Sequence, residues 1–147
     1  MKNFIFVFIL FATLITVNAA PYQFDKRATT FKPCPDGLPS PNVIMTPDPL
    51  VPGQSAKFNV SGTLMNDLFK GLADLRIRFS DSKRQRLIGD PYYQNFNESF
   101  PAGTPFSIVA PKVDVPSDLT NKYVIEVVIE SELLTDIYGC SLADGEK

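Results

Sequence analysis

The chain contains no histidine and no tryptophan, and only two of its 147 residues are cysteine. Without histidine there is no Ser-His-Asp or Cys-His arrangement, no His-containing zinc site and no ordinary general base near neutral pH. Glycine-rich phosphate loops, EF-hands and cysteine metal patterns are absent as well. A pair of carboxylates is the one catalytic device left. The strongest acidic cluster, Glu126, Glu130 and Glu132, alternates along a strand pattern and reads as a solvated surface. The chain is therefore expected not to be an enzyme and to need neither cofactor nor metal. An excess of positive charge is missing too: 14 bases stand against 16 acids, net −2. Three of those bases (Lys2, Lys26, Arg27) and one acid (Asp25) precede Ala28, so the remainder carries 11 bases and 15 acids, net −4. Such a surface does not suit a protein that coats duplex nucleic acid, which needs a dominant positive face.

Long apolar runs are confined to the start. Lys2 is followed by the apolar stretch Ile5 to Val17 and then by "VNA", the pattern of a signal peptide cleaved after Ala19. The run is short for a membrane span, so a retained anchor is the lesser alternative. Residues 20–33 read as a short N-terminal segment whose dibasic pair, Lys26-Arg27, is a candidate for a second cleavage. Residues 34–147 then form one domain, large enough to bury its own core. The expected destination is extracellular, or the lumen of a vacuole or lysosome. In such an oxidising compartment Cys34 and Cys140 pair most simply with each other, the alternative being a free thiol or an intermolecular bond. Two sequons, Asn59-Val60-Ser61 and Asn97-Glu98-Ser99, offer glycosylation sites.

The apolar pattern along the domain has a period of two. Ala56, Phe58 and Val60 alternate with Lys57, Asn59 and Ser61; Leu75, Ile77 and Phe79 alternate with Arg76, Arg78 and Ser80. Phe106, Ile108 and Ala110 form a third series, and Tyr123, Ile125, Val127 and Ile129 a fourth. Each predicts a strand with one apolar and one wetter face. Turn signals separate them: "TPDPLVPGQ", "DSKRQR", "IGDPYY", "FPAGTP" and "VPSDLTNK". The single helical candidate, Asn66 to Ala73, contains Gly71 and reads as a loop. Thirteen prolines and several short strands point to an all-β, antiparallel two-sheet β-sandwich. Such a sandwich either packs its aromatic inner faces into a core or splays to hold an apolar ligand.

The segments "PLVPGQSAKFNVSGTL", "GDPYYQNF", "PAGTPFSI" and "KYVIEVVI" followed by "YGC" resemble, in order and spacing, the ML lipid-recognition family. That family holds Niemann–Pick type C-like secreted sterol-binding proteins and fungal phosphatidylglycerol/phosphatidylinositol transfer proteins. The resemblance runs from about Cys34 to Cys140. It implies an immunoglobulin-like sandwich with an apolar cavity between its sheets, which binds and transfers a sterol or phospholipid without catalysis. It also implies a bridge between Cys34 and Cys140 that staples the sandwich shut. The implied lipid-binding residues are Phe58, Val60, Leu75, Ile77, Phe79, Tyr92, Phe106, Ile108, Tyr123, Ile125, Val127 and Ile129. Tyr92, Tyr93 and Tyr123 are candidates to orient a head group, and the Arg76–Arg86 cluster to meet an anionic one. The implied partners are the lipid and, transiently, a membrane surface; the protein is expected to be a monomer.

The chain departs from the family where relatives carry further cysteines. Phe100 stands before Pro101 where a half-cystine is usual, and Asn97 replaces another. Ligand selectivity therefore does not carry over. The rival expectation is a secreted sandwich with a packed core that works as an interaction module or effector through its loops.

Overall fold

A strand whose alternate side chains are apolar is stable only if a second layer covers that face. The computed structural model describes residues 28–131 and 136–147, and it meets this requirement with two sheets. The candidate signal peptide, the dibasic pair and Glu132 lie outside the described residues. Among the described residues there is no helix. The strands are β1 (Phe31–Pro33), β2 (Asn42–Thr46), β3 (Ser55–Thr63), β4 (Ala73–Asp81), β5 (Leu87–Asn95), β6 (Pro105–Asp114), β7 (Lys122–Ser131) and β8 (Ile137–Glu146). A five-stranded sheet ordered β1-β8-β7-β4-β5 faces a three-stranded sheet ordered β2-β3-β6. Every pairing is antiparallel. The described residues form an all-β, antiparallel two-sheet sandwich.

Register follows the apolar period. Leu75, Ile77 and Phe79 of β4 stand opposite Ile129, Val127 and Ile125 of β7. In the smaller sheet Phe58 of β3 lies between Met45 of β2 and Ala110 of β6. A one-residue slip of any of these strands would turn its whole apolar set to water.

Three expectations need correction. The motif "IGDPYY" is not a turn but part of β5. That strand is outermost, as is β6, so Pro91, Pro105 and Pro111 fall where a missing amide proton is tolerated. Gly89 takes φ +70° in β5, and a Cβ there would run into Pro116.

The outer face of β7 is not a solvated row of acids. Glu126 is only 8 % exposed, because Arg78 from β4 lies over it with Nε on Glu126 Oε2. Arg76 Nη1 pairs with Glu130 Oε2 at 3.0 Å on the same face. The stems of long arginines cover apolar surface while their heads pair, which lets a carboxylate sit where water is scarce.

The disulfide is formed, Cys34 to Cys140, but it does not staple the two sheets together. Cys34 directly follows β1 and Cys140 lies within β8, neighbouring strands of the same sheet. The bridge sits on that sheet's outer face, in a small buried cluster with Val128. It locks the edge of one layer, and among the described residues no disulfide joins the two layers.

Strand β8 carries glycine at two inward positions. Gly145 faces Tyr123 of β7, whose ring lies directly over it, so a Cβ at 145 would collide with the ring. The aromatic side chain supplies the surface that glycine lacks. Gly145→Ala is expected to cost about 1–3 kcal/mol by overpacking, read as a lowered urea midpoint with an unchanged m value. An unaltered midpoint would show that the ring moves away at no cost.

Candidate functional site

The inner faces were expected to line a cavity, and instead they meet. Phe58, Val60, Leu75, Ile77, Phe79, Phe106, Ile108, Tyr123, Ile125, Val127 and Ile129 are between 0 and 6 % exposed and belong to one cluster. A side chain lining a space wide enough for water would have accessible surface, and seven of these eleven have none. The reason is steric. Large rings from the two sheets interdigitate at the spacing of a packed sandwich. Tyr92 differs: it is half-buried against this cluster, and its hydroxyl donates to Gln94 Oε1 at 2.6 Å.

The two ends of the sandwich are closed differently. At one end the connection between β3 and β4 (residues 64–72) runs beside that between β5 and β6 (residues 96–104). Leu68 and Phe100 exchange backbone hydrogen bonds at 2.8 and 2.9 Å, joining the two connections. Beneath them Phe96, Phe100 and Phe106 stack edge to face in a triangle with centroids 6.0–6.3 Å apart. Phe96 follows the larger sheet and Phe106 belongs to the smaller, so the triangle fills the space between layers. Phe96 and Phe106 are buried, while Phe100 is only partly so. Phe96 and Phe100 escaped the sequence reading because they lie in a connection rather than on a strand period. Their signal was the spacing of the phenylalanines in "FNESFPAGTPF".

At the other end a cavity of about 590 Å³ opens between Thr29, Thr30, Lys32, Pro49, Tyr123 and Glu146. Thr29 clasps the Asp48 carboxylate, its backbone N donating to Oδ2 at 2.9 Å and its Oγ1 to Oδ1 at 2.7 Å. Hydroxyl and charged groups of Thr29, Thr30, Lys32, Asp144 and Glu146 share this wall with Ala28, Pro49 and the Tyr123 ring, so it is not the wholly apolar channel an acyl chain would require. Tyr123 forms its floor. Burial raises the phenol's pKa, and the negative charge of Asp48 raises it further.

That shift has a sign. A phenol with a raised folded-state pKa contributes stability fully below its unfolded value, about 10, and loses it as pH climbs toward the folded value. Stability is therefore expected to fall above about pH 10, with the Tyr123→Phe variant falling less steeply. Parallel urea titrations at rising pH check this, and identical slopes would refute it.

The three tyrosines proposed for head-group contact do not converge. Tyr123 sits at the clasped end, and Tyr92 and Tyr93, on successive positions of β5, take opposite faces, Tyr93 being exposed. The basic cluster divides as well. Arg76 and Arg78 are neutralised by Glu130 and Glu126, while Lys83, Arg84 and Arg86 are exposed in the β4–β5 turn. Of the sequons, Asn97 is exposed in the β5–β6 connection. Asn59 is half-buried in the middle strand of the smaller sheet, with Oδ1 buried and unpartnered.

No family model matches the chain, and no curated protein matches it significantly. Among solved structures it is similar to Bacteroides uniformis beta-glucuronidase at 12 % identity and a TM-score of 0.45, covering 73 % of this chain and 13 % of that one. A calcium-binding mutant of Bacteroides uniformis beta-glucuronidase 2 gives 12 % identity and a TM-score of 0.46, covering 81 % and 14 %. The chain thus spans about one seventh of those proteins' length, and the likeness carries no argument about activity.

Proposed function

We propose that this protein binds a sterol or phospholipid between its two sheets and exchanges it with membranes, as a member of the ML lipid-recognition family would. The observation that supports this is the division of the fold into two layers. The strand ladders run only within each sheet, the disulfide lies within one sheet, and the Phe96–Phe100–Phe106 triangle closes the space between the layers at one end. Separating the layers at that end breaks van der Waals contacts that an inserted lipid tail replaces, with the partly exposed Phe100 ring swinging aside first. At about 0.8 kcal/mol per buried methylene, a dozen carbons gain on the order of 10 kcal/mol before ordering costs. The described structure is then the closed form. The signal-like start and the disulfide favour a secreted protein, or one in the lumen of a vacuole or lysosome.

A second reading rests on the same inner faces. Their lack of accessible surface favours a packed interaction module or effector that carries no ligand. Native mass spectrometry of the secreted, deglycosylated protein separates the two. A discrete added mass that extracts as sterol or phospholipid is the expected result. A mass that remains that of the bare chain after incubation with mixed liposomes would replace the carrier with the module.

A further inference from the structure

We propose that the β3–β4 connection is a bilayer-docking tip that inserts apolar side chains into an uncharged lipid–water interface. The proposal rests on the lipid-exchange reading, because the connection adjoins the Phe96–Phe100–Phe106 triangle through which a tail would pass. Its first support is exposure. Met65 is 83 % exposed, Phe69 56 % and Leu72 43 %, all within one connection of nine residues. The connection is not short of structure that might have buried them. Leu68 is paired with Phe100, the Gly71 N–H donates to Phe96 O at 2.9 Å, and the Lys70 N–H donates to Ser99 Oγ at 2.9 Å. The Leu72 and Ala73 N–H groups both donate to Phe69 O, at 3.0 and 3.1 Å, forming the turn that carries Phe69.

That bonding is what a membrane-inserting segment needs. Backbone groups without partners are costly where water is scarce, and here five of the six successive N–H groups from Leu68 to Ala73, all but that of Phe69, donate within the protein. The side chains project from a rigid turn, so little ordering remains to be done on docking. The exposed apolar area, on the order of a few hundred Å², is too small for a stable protein–protein complex, which buries about 800 Å² on each partner. Three side chains of Phe, Leu and Met type suit an interface of lipid and water instead. Charge then selects the lipid. Among the described residues Asp67, Glu98 and Asp136 are exposed at this end against the single base Lys70, and the whole chain is net −2. An anionic surface is therefore not favoured, and docking runs on apolar insertion into a zwitterionic one.

The test is flotation of the deglycosylated full-length secreted protein with phosphatidylcholine vesicles, since Asn97 lies on the neighbouring connection. The wild type is expected to float, with no gain from added phosphatidylserine and no loss at raised salt. A variant combining Met65→Ser, Phe69→Ser and Leu72→Ser should bind at least about tenfold more weakly, with an unchanged melting temperature. If that variant does not fold, Met65→Ser alone should still reduce flotation. Absence of wild-type flotation, or equal flotation of the variants, would overturn the proposal. So would binding confined to anionic vesicles and abolished by salt, or a dimer in light scattering that the triple variant dissolves. Flotation without any extractable lipid would leave the docking tip standing and remove the carrier. Extractable lipid without flotation would do the reverse.

Discussion

Replacing Cys34 and Cys140 together by serine is expected to lower the stability of the domain by about 4–5 kcal/mol. The bridge closes a loop with a sequence separation of 106 residues, and in the chain-entropy view that loop's freedom in the unfolded state is what the bond removes. The native state loses something too. β1 has three residues and one neighbour, β8, so without the bond its attachment depends on the pairs Phe31–Ala143, Lys32–Leu142 and Pro33–Ser141. Its proline donates nothing to that ladder. The Cys34 and Cys140 side chains are also buried against Val128, and serine hydroxyls there would have to find partners. Domains of this size have about 5–15 kcal/mol in all, so the double variant should be at the margin of folding at body temperature. Urea denaturation of the oxidised wild type and the double-serine variant measures it directly. A difference below about 1 kcal/mol would mean that the unfolded chain is already constrained by other contacts.

Phe58→Ala should lose about 3–5 kcal/mol in the ligand-free protein. Phe58 has no accessible surface, stands in the middle strand of the smaller sheet, and has Ala110 as its register partner on β6. Its ring therefore fills volume that its small neighbour cannot, and truncation leaves a cavity that β3, paired on both sides, cannot collapse into. Phe69→Ala provides the internal comparison. The same atoms are removed from a ring that is mostly in water, and the change should be within about 0.5 kcal/mol. If the carrier reading holds, the Phe58→Ala cavity lies where a tail inserts. Adding the extracted lipid should then raise the variant's melting temperature more than that of the wild type. Equal stability losses for the two phenylalanines would contradict the packing described above.

Much of this architecture was legible in the residues. The period of two in β3, β4, β6 and β7 identified four strands and their buried faces, because each has one face toward the opposite layer and that requirement is written locally. The pairing of Cys34 with Cys140 was legible from their number alone in an oxidising compartment. The other half of the fold was hidden for specific reasons. β5 contains Gly89 and Pro91, which signal a turn unless one knows that the strand lies at an edge. β8 places glycines at inward positions 139 and 145, and the apolar groups that cover them, Leu64 and Tyr123, come from distant parts of the chain. Its period is therefore invisible in its own letters.

The site divides in the same way. The apolar character of the inner faces belongs to the sequence, since a phenylalanine or isoleucine on a strand phase has nowhere to go but inward. Whether those faces enclose a space or close on each other was decided only by how the two layers interdigitate. Glu126 shows the point for charge. Its neighbours along the chain predict water around it, and Arg78, 48 positions away, provides the partner that makes its burial affordable. The sequence by itself determined the strand faces, the all-β class and the oxidised cysteine pair, because each depends on residues close together or on composition. Tertiary structure alone decided that the bridge lies within one sheet and that three phenylalanines close one end of the sandwich. It also decided that Met65, Phe69 and Leu72 stay outside. All of these depend on which strands become neighbours, and that is a property of the whole chain.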